Sequence, residues 1–253
     1  MTVHGARFLR RKATPGNSAR RTDHPTIQES SGRVPLSLDR AELEGLVREV
    51  VRRHFQAPAS VAPPLRVNVS ARHMHVTDED LERLFGKGHK LTPMRPLYQE
   101  GQYAAEETVT LVGPKRRLIS NLRILGPTRK ASQIELAFTD AIALGIDDVP
   151  VRPSGDVSGT PGAYVLGPAG MIELREGVIR AAVHVHMGPA DAERYGVAHK
   201  DLMKLRVGGA AGVTFERVLV RVDPSSRLEV HLDTDEANAC GLHLTKEVAL
   251  SKA

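Results

Sequence analysis

Tryptophan is absent from the 253 residues, and only 4% of them are aromatic. The core is therefore expected to be aliphatic, and the length is ample to bury one, as two modest domains or one large one. The single cysteine, Cys240, excludes an intrachain disulfide and a cysteine-based zinc ribbon, and it favours a reducing compartment. No apolar run approaches the roughly eighteen residues that span a bilayer, and no signal-peptide h-region is seen. The expectation is a soluble protein with no membrane partner.

Aromatic-studded basic motifs are also missing. The net charge is +5, but much of the excess sits near the start, where Arg7, Arg10, Arg11, Lys12, Arg20 and Arg21 outnumber Asp23 and Glu29. That segment is polar, Gly/Pro-containing and without sustained periodicity, and it reads as a disordered basic arm. The remainder is nearly balanced, so nucleic acid is not the expected partner.

What the chain does contain is a repeat. Val67 to Lys90 returns in degenerate form as Ala182 to Lys200. Laying His73 on His184 pairs His75 with His186, Asp80 with Asp191, Glu82 with Glu193 and Arg83 with Arg194. After a one-residue gap, Gly86 meets Gly196, His89 meets His199 and Lys90 meets Lys200. Each half thus opens with a His-x-His. Residues i and i+2 of a strand share a face, and both flanks read as strand: Leu65 to Val69 before the first pair, and Val178 to Val185 through the second. Two imidazoles on one face are either ordinary hydrogen-bonded histidines or ligands of a shared zinc, copper, iron or nickel ion. Recurrence at matching places favours the ligands.

The rest of the pattern is mostly β. Thr77 can cap a short helix, TDEDLERLFG, that stops at Gly86. Strands are expected at Glu107 to Val112, Leu118 to Leu125 and Ser132 to Ala137. In the second half they are expected near Leu202 to Val207, Gly212 to Val222 and Leu228 to Leu232, after a short helix at Pro189 to Tyr195. Closely spaced short strands point to a mainly β fold of two antiparallel β-barrels with short capping helices, related by a pseudo-twofold. Ahead of them, Ser37 can cap an amphipathic helix from about Leu38 to Phe55. Its stripe is Leu43, Leu46, Val47, Val50 and Val51, and QAPASVAPP follows as a linker.

The ends of the halves match as well. Ile134 to Ala141 resembles Val230 to Ala237, and alignment on Thr-Asp brings Glu135 within a residue of His231. Both sit in apolar strands, where an unpaired polar group is costly, so each is either a hydrogen-bonded strand residue or the natural third ligand of its half. His89, His199 and His243 are weaker candidates, the first two following helix C-termini, where histidine is common.

The segments VNVSARHMHVT, LTPMRPLYQEGQYAAEETV, NLRILGPTRKASQIELAFTDA, HVHMGP and VHLDTDEANA, in this order, resemble the PduL-type phosphate propanoyltransferases, the phosphotransacylases of bacterial microcompartments. The resemblance runs from about Leu65 to the C-terminus. It implies two β-barrels with a dinuclear zinc site at their interface. One barrel would be formed by residues 62–71 with 182–253 and the other by 72–181, leaving 1–61 as arm, helix and linker. It also implies that one zinc is held by His73, His75 and His231 and the other by Glu135, His184 and His186. The internal repeat alone groups His73, His75 and Glu135. By the same resemblance Arg129 contacts phosphate, and Ser70, Arg95, Arg123, Leu125 and Asn238 lie near coenzyme A.

The implied activity is reversible transfer of a short acyl group between coenzyme A and phosphate, with acyl-CoA, phosphate and acyl phosphate as substrates and products. The implied setting is a microcompartment lumen, with a homo-oligomer reaching shell or core proteins through the N-terminal helix. Docking of that helix on the enzyme's own barrels is the plainer alternative. A dinuclear metal hydrolase of thioesters or phosphoesters would use six N/O ligands equally well, because metal-bound water is a ready nucleophile. Cys240, in the helix-like TDEANACG stretch, is read as a packing residue.

Overall fold

The computed structural model describes residues 39–55 and 65–253. The chain divides into two units, Met1–Ala59 and Ser60–Ala253. In the first, α1 spans Arg40–Phe55. Its start is capped by Asp39, whose Oδ1 accepts the amide of Glu42 at 2.8 Å while the Glu42 carboxylate takes the Asp39 amide at 3.2 Å. Ser37, the expected cap, lies outside the described residues, as do the basic arm and the QAPASVAPP linker. Leu43, Leu46, Val47 and Val50 are each about half exposed.

The second unit is mainly β. It begins with β1 (Arg66–Val69) and β2 (His73–His75), followed by helix α2 (Asp78–Phe85). Then come β3 (Pro93–Pro96), β4 (Tyr103–Val112), β5 (Leu118–Gly126), β6 (Gln133–Glu135), α3 (Phe138–Leu144), β7 (Val151–Arg152), β8 (Ala163–Leu166) and β9 (Met171–Leu174). The second half runs β10 (Val178–Ala181), β11 (His184–Met187), α4 (Pro189–Tyr195), β12 (Leu202–Val207), β13 (Val213–Val222), β14 (Glu229–Leu232), α5 (Thr234–Ala239) and β15 (Val248–Lys252). These strands form two sheets, ordered β1-β14-β11-β13-β12-β15 and β7-β10-β6-β2-β5-β4-β8-β9, with β3 on β4. Each is an open path of strands that curls into a half-barrel.

Two expectations are corrected here. The sheets are not purely antiparallel. β2 runs parallel to β5, β11 to β13, β10 to β6 and β7, and β1 to β14. After each His-x-His the chain leaves through α2 or α4 before it returns, and an intervening crossover is what lets two strands run parallel. Nor is Val178 to Val185 one strand. It breaks after Ala181, so that β10 ends in the larger sheet and β11 starts in the smaller. The first half does the converse, with β1 in the smaller sheet and β2 in the larger. The run β10-β6-β2-β5 of one sheet is therefore matched by β1-β14-β11-β13 in the other.

Both cores are aliphatic. The larger sheet buries Met74, Leu81, Leu111, Leu122, Ile124, Ile134 and Val178, and the smaller one Val185, Met187, Met203, Leu205, Val220 and Val230. Alternation in β12 explains its share, with Met203, Leu205 and Val207 inward and the residues between them more exposed. Truncating such a residue, Leu205→Ala for example, costs about 2–5 kcal/mol. Cys240 is buried at the end of α5 and packs in the smaller core.

Polar contacts tie the two sheets together. Arg180 at the end of β10 reaches Asp233 and Glu236 at the start of α5 and lies 4.5 Å over the Phe138 ring. The Thr139 amide on α3 donates to Asp235 on α5 at 3.0 Å, while Arg72, just before β2, pairs with Asp140 of α3 within the larger half at 2.7 Å. Elsewhere Gln99, in the loop after β3, donates to the Arg227 carbonyl and to Glu229, both at 3.1 Å.

Candidate metal centre

Strand register assembles the site. On β2 and β6, antiparallel neighbours, His73 lies directly across from Glu135 and His75 across from Gln133. On β11 and β14, His184 lies across from His231 and His186 across from Glu229. Register partners carry their side chains to one face and close together, so each half collects three donors. The ligand atoms of His73, His75 and Glu135 lie within 4.8 Å of one another, as do those of His184, His186 and His231. Register thus equates Glu135 with His231 more closely than alignment on Thr-Asp does. The donors grouped by register belong to the same half, the grouping that the repeat alone points to, whereas the crossed sets that the resemblance implies would draw on both halves. The two triplets are neighbours even so, since Glu135 lines one narrow cavity together with Ser70, Ala182, His184 and His231.

The tautomers suit metal binding. His73 Nδ1 donates to the Ala71 carbonyl at 2.8 Å and His184 Nδ1 to the Ala182 carbonyl at 2.7 Å, which leaves Nε2 as the lone-pair nitrogen of each. The matching bond from His75 Nδ1 goes to the Leu125 carbonyl at 3.3 Å. His73 Nε2 then faces the Glu135 carboxylate at 3.5 Å, a separation that either a proton on the nitrogen or a metal ion makes favourable. Three imidazoles in one triplet and two with a carboxylate in the other form an N/O donor set that fits zinc. Burial is deep: His73, His75, Glu135 and His184 are each less than a tenth exposed.

Electrostatics keep the donors ready. Burial, then the neighbouring charges of His73 and Arg129, pushes His75 down to about 3. Burial and His231 lower His184 to about 4, and burial with His184 and His231 lowers His186 to about 2. These imidazoles are neutral at pH 7, as ligands must be. Burial alone would raise Glu135, but His73, His75 and a hydrogen bond from Ser154 outweigh it and hold the carboxyl well below its ordinary range. His73 is raised, because Glu135 and the Ala71 carbonyl overcome the opposing effect of burial.

A second layer of polar groups fixes the first. Ser154 Oγ and Gln133 Nε2 both donate to Glu135 Oε1 at 2.7 Å, and Gln133 Oε1 accepts the Gly155 amide at 2.6 Å. Across the site, His231 Nε2 donates to Glu229 Oε2 at 2.8 Å. Glu229 is 2% exposed and lies on the face that carries the histidines. Burial pushes its carboxyl up, but hydrogen bonds from His231 and Gln99 leave it lowered overall. Gln133, Ser154 and Glu229 were missed in the sequence. The available signal was the i, i+2 spacing, which puts Gln133 beside Glu135 and Glu229 beside His231.

Arg129 follows β5. Its amide donates to the Val76 carbonyl at 2.8 Å, next to the helix cap in which Thr77 Oγ1 accepts the Asp80 amide at 3.1 Å. Ser132 ties this turn down, donating to Asp80 and accepting from the Thr77 amide. The guanidinium, half-buried, donates to Ser154 Oγ at 3.2 Å, one bond from Glu135. Of the other named residues, Ser70 lines the narrow cavity. Arg123 is the register partner of His73, with its guanidinium on the Ala105 and Glu106 carbonyls, and Leu125 meets His75 through its carbonyl. Arg95 on β3 and Asn238 on α5 are exposed. His89 and His199 have other roles: His89 bonds Glu107 at 2.9 Å, and His199 accepts the Val222 amide at 3.2 Å.

Sequence comparison gives the family. The sequence model of a family described as phosphate propanoyltransferase matches residues 66–243, a span that contains both triplets and Arg129. A phosphate propanoyltransferase from Planctopirus limnophila is 52% identical, over 85% of this chain and 93% of the relative. One from Thermotoga maritima is 53% identical, over 72% of this chain and 86% of the relative. One from Salmonella typhimurium is 46% identical, over 81% and 93% respectively.

Proposed function

This chain belongs to the phosphate propanoyltransferase family, and we propose that it converts a short-chain acyl-CoA and phosphate reversibly into acyl phosphate and coenzyme A at a two-zinc site between its sheets. As a family member it is a transferase of the phosphate acyltransferase type. The observation that carries the finer reading is the pair of register-built triplets, His73, His75 and Glu135 facing His184, His186 and His231. In this reading each triplet holds one ion.

Zinc bound there supplies a Lewis acid for the thioester carbonyl oxygen and a thiophilic seat for the coenzyme A sulfur. The chain's own residues supply position. Arg129 takes the phosphate in a bidentate fork and aims a free oxygen at the carbonyl carbon. The new C–O bond forms as the C–S bond breaks, and the electron pair leaves on the thiolate. In reverse, the thiolate attacks the acyl phosphate and phosphate departs. Ser70, Arg95, Arg123, Leu125 and Asn238 are assigned to coenzyme A. No protein nucleophile is needed, and buried Cys240 takes no part.

The matching strand orders support a pseudo-twofold between a barrel of residues 62–71 with 182–253 and a barrel of residues 72–181. We assign the N-terminal helix to packaging in a microcompartment, through shell or core proteins, and the enzyme to a homo-oligomer. Among the described residues no helix is long and apolar enough to cross a membrane.

The experiment is direct. Purified protein is incubated with acyl-CoA, with and without phosphate, and thiol release and acyl phosphate are followed. Release that depends on phosphate, with acyl phosphate formed, is expected. Equal release without phosphate would make the protein a hydrolase and overturn the proposal.

A further inference from the structure

Arg221 carries a charge beside the second triplet and has no part in the mechanism above. It lies on β13 as the register partner of His186. Its side chain therefore shares the sheet face of His184, His186 and His231. Strand pairing does not demand a cation there, because in the first half Leu125 stands beside His75 in the corresponding place. Arg221 is half-buried, and among the described residues it makes no hydrogen bond or ion pair. Its charge reaches His184, His186 and Glu135, and also Arg129 of the other half.

Two guanidiniums, one from each half, thus converge on a single cluster. The carboxylate within their reach, Glu135, already accepts from Ser154 and Gln133, and Asp223 beside Arg221 is exposed and bonded to Ser225. A half-buried guanidinium with five donors and no acceptor is costly, and two of them repel each other. An anion bound between them removes both penalties.

We propose that Arg221 is the second anion-binding residue of the phosphate subsite, so that inorganic phosphate and the phosphoryl end of acyl phosphate are held by one arginine from each half. This inference rests on the phosphotransacylase reading. Phosphate has four oxygens, and one must stay free to attack the thioester. A fork from Arg129 and a contact from Arg221 occupy the other three and set the direction of the fourth. The phosphates of coenzyme A itself are excluded as the target, because the pantetheine arm places them far from the reacting sulfur.

The test uses the metal-loaded full chain as wild type, Arg221→Met and Arg221→Lys. Zinc content is measured, and binding of inorganic phosphate is followed by calorimetry alongside KM for phosphate and for acyl-CoA. In Arg221→Met, phosphate binding weakens and KM for phosphate rises by about tenfold or more, the scale of a lost hydrogen bond to a charged group. Zinc content and KM for acyl-CoA stay at the wild-type level. Arg221→Lys, which keeps the charge but loses the fork, falls between. Phosphate binding at wild-type strength in the two variants overturns the inference. So does loss of zinc or a parallel rise in KM for acyl-CoA, either of which would make Arg221 a strut for His186. Wild type that releases thiol without phosphate refutes the underlying reading instead, and calorimetry still reports on Arg221 in that case.

Discussion

His231 donates its Nε2 proton to Glu229 across 2.8 Å, to a carboxylate that is almost wholly buried and is itself held by Gln99 from the other sheet. With Nε2 committed, Nδ1 is the nitrogen of His231 left to bind metal. Partners of this kind fix the ring and raise its basicity, and losing one typically costs about 10–100-fold in metal affinity. Glu229→Gln is therefore expected to keep the fold and lose zinc to a chelator at a concentration about 10–100-fold lower than wild type requires. Unaltered chelator resistance would make Glu229 a structural carboxylate only.

The ligand partition can be tested by counting ions. If each triplet holds its own zinc, the double variant His75→Ala/Glu135→Gln damages one site and retains about one ion per chain, and so does His184→Ala/His186→Ala. Crossed sets, His73 and His75 with His231 and Glu135 with His184 and His186, predict that the first double variant strikes both sites and retains none. Metal analysis of the two proteins decides between the arrangements.

Much of this site was legible in the sequence, because its strongest signals are local. The two His-x-His pairs, the Thr77 cap and the Glu135/His231 correspondence all follow from i, i+2 spacing, capping chemistry and an internal repeat. Non-local facts were not legible. Val178 to Val185 is a continuous apolar run, and nothing in it marks Ala182 as the point where the chain changes sheets. The parallel pairing of β2 with β5 depends on where the chain returns after α2. Glu229 and Arg221 belong to the site through register, on strands whose local pattern reads as ordinary β.

The metal-free protein is expected to be acid-sensitive above the usual carboxylate range. His75 and His184 have native values pushed down to about 3 and about 4 by burial, against about 6.5 in the unfolded chain. The unfolded state binds more protons in that interval, so stability falls as pH drops from about 6.5 toward 4. Glu135, also depressed, adds to the loss below about 4.5. His73 acts oppositely. Its native value is raised, so its contribution is full below 6.5 and is lost as pH climbs through the native value. Thermal melts of chelator-treated protein between pH 8 and 4 should show a net fall in Tm on the acid side. A His75→Leu/His184→Leu variant should flatten it, and a flat wild-type profile would contradict this account.

Arg129 separates substrate binding from metal binding. It touches Ser154, not a metal donor directly, so Arg129→Ala is expected to keep its zinc and raise KM for phosphate by about tenfold or more. His186→Ala, by contrast, should lose metal and activity together. Wild-type turnover of Arg129→Ala at low phosphate would remove Arg129 from the mechanism.

The last prediction concerns α1, which the chemistry leaves unexplained. Its Leu43, Leu46, Val47 and Val50 are about half exposed, while Arg40 and Arg48 pair along the helix with Glu44. An apolar stripe beside a charged face is the form of a groove-binding helix. The first strand of the two sheets begins only at Arg66, so deleting residues 1–60 leaves every described strand and every proposed ligand in place. The truncated enzyme is expected to match the full chain in Tm, zinc content and phosphate-dependent turnover, and to fail to co-purify with microcompartment shells when both are produced together. A truncated enzyme that unfolds or loses turnover would mean that the stripe is covered by the enzyme itself. One that still enters shells would place the address elsewhere in the chain.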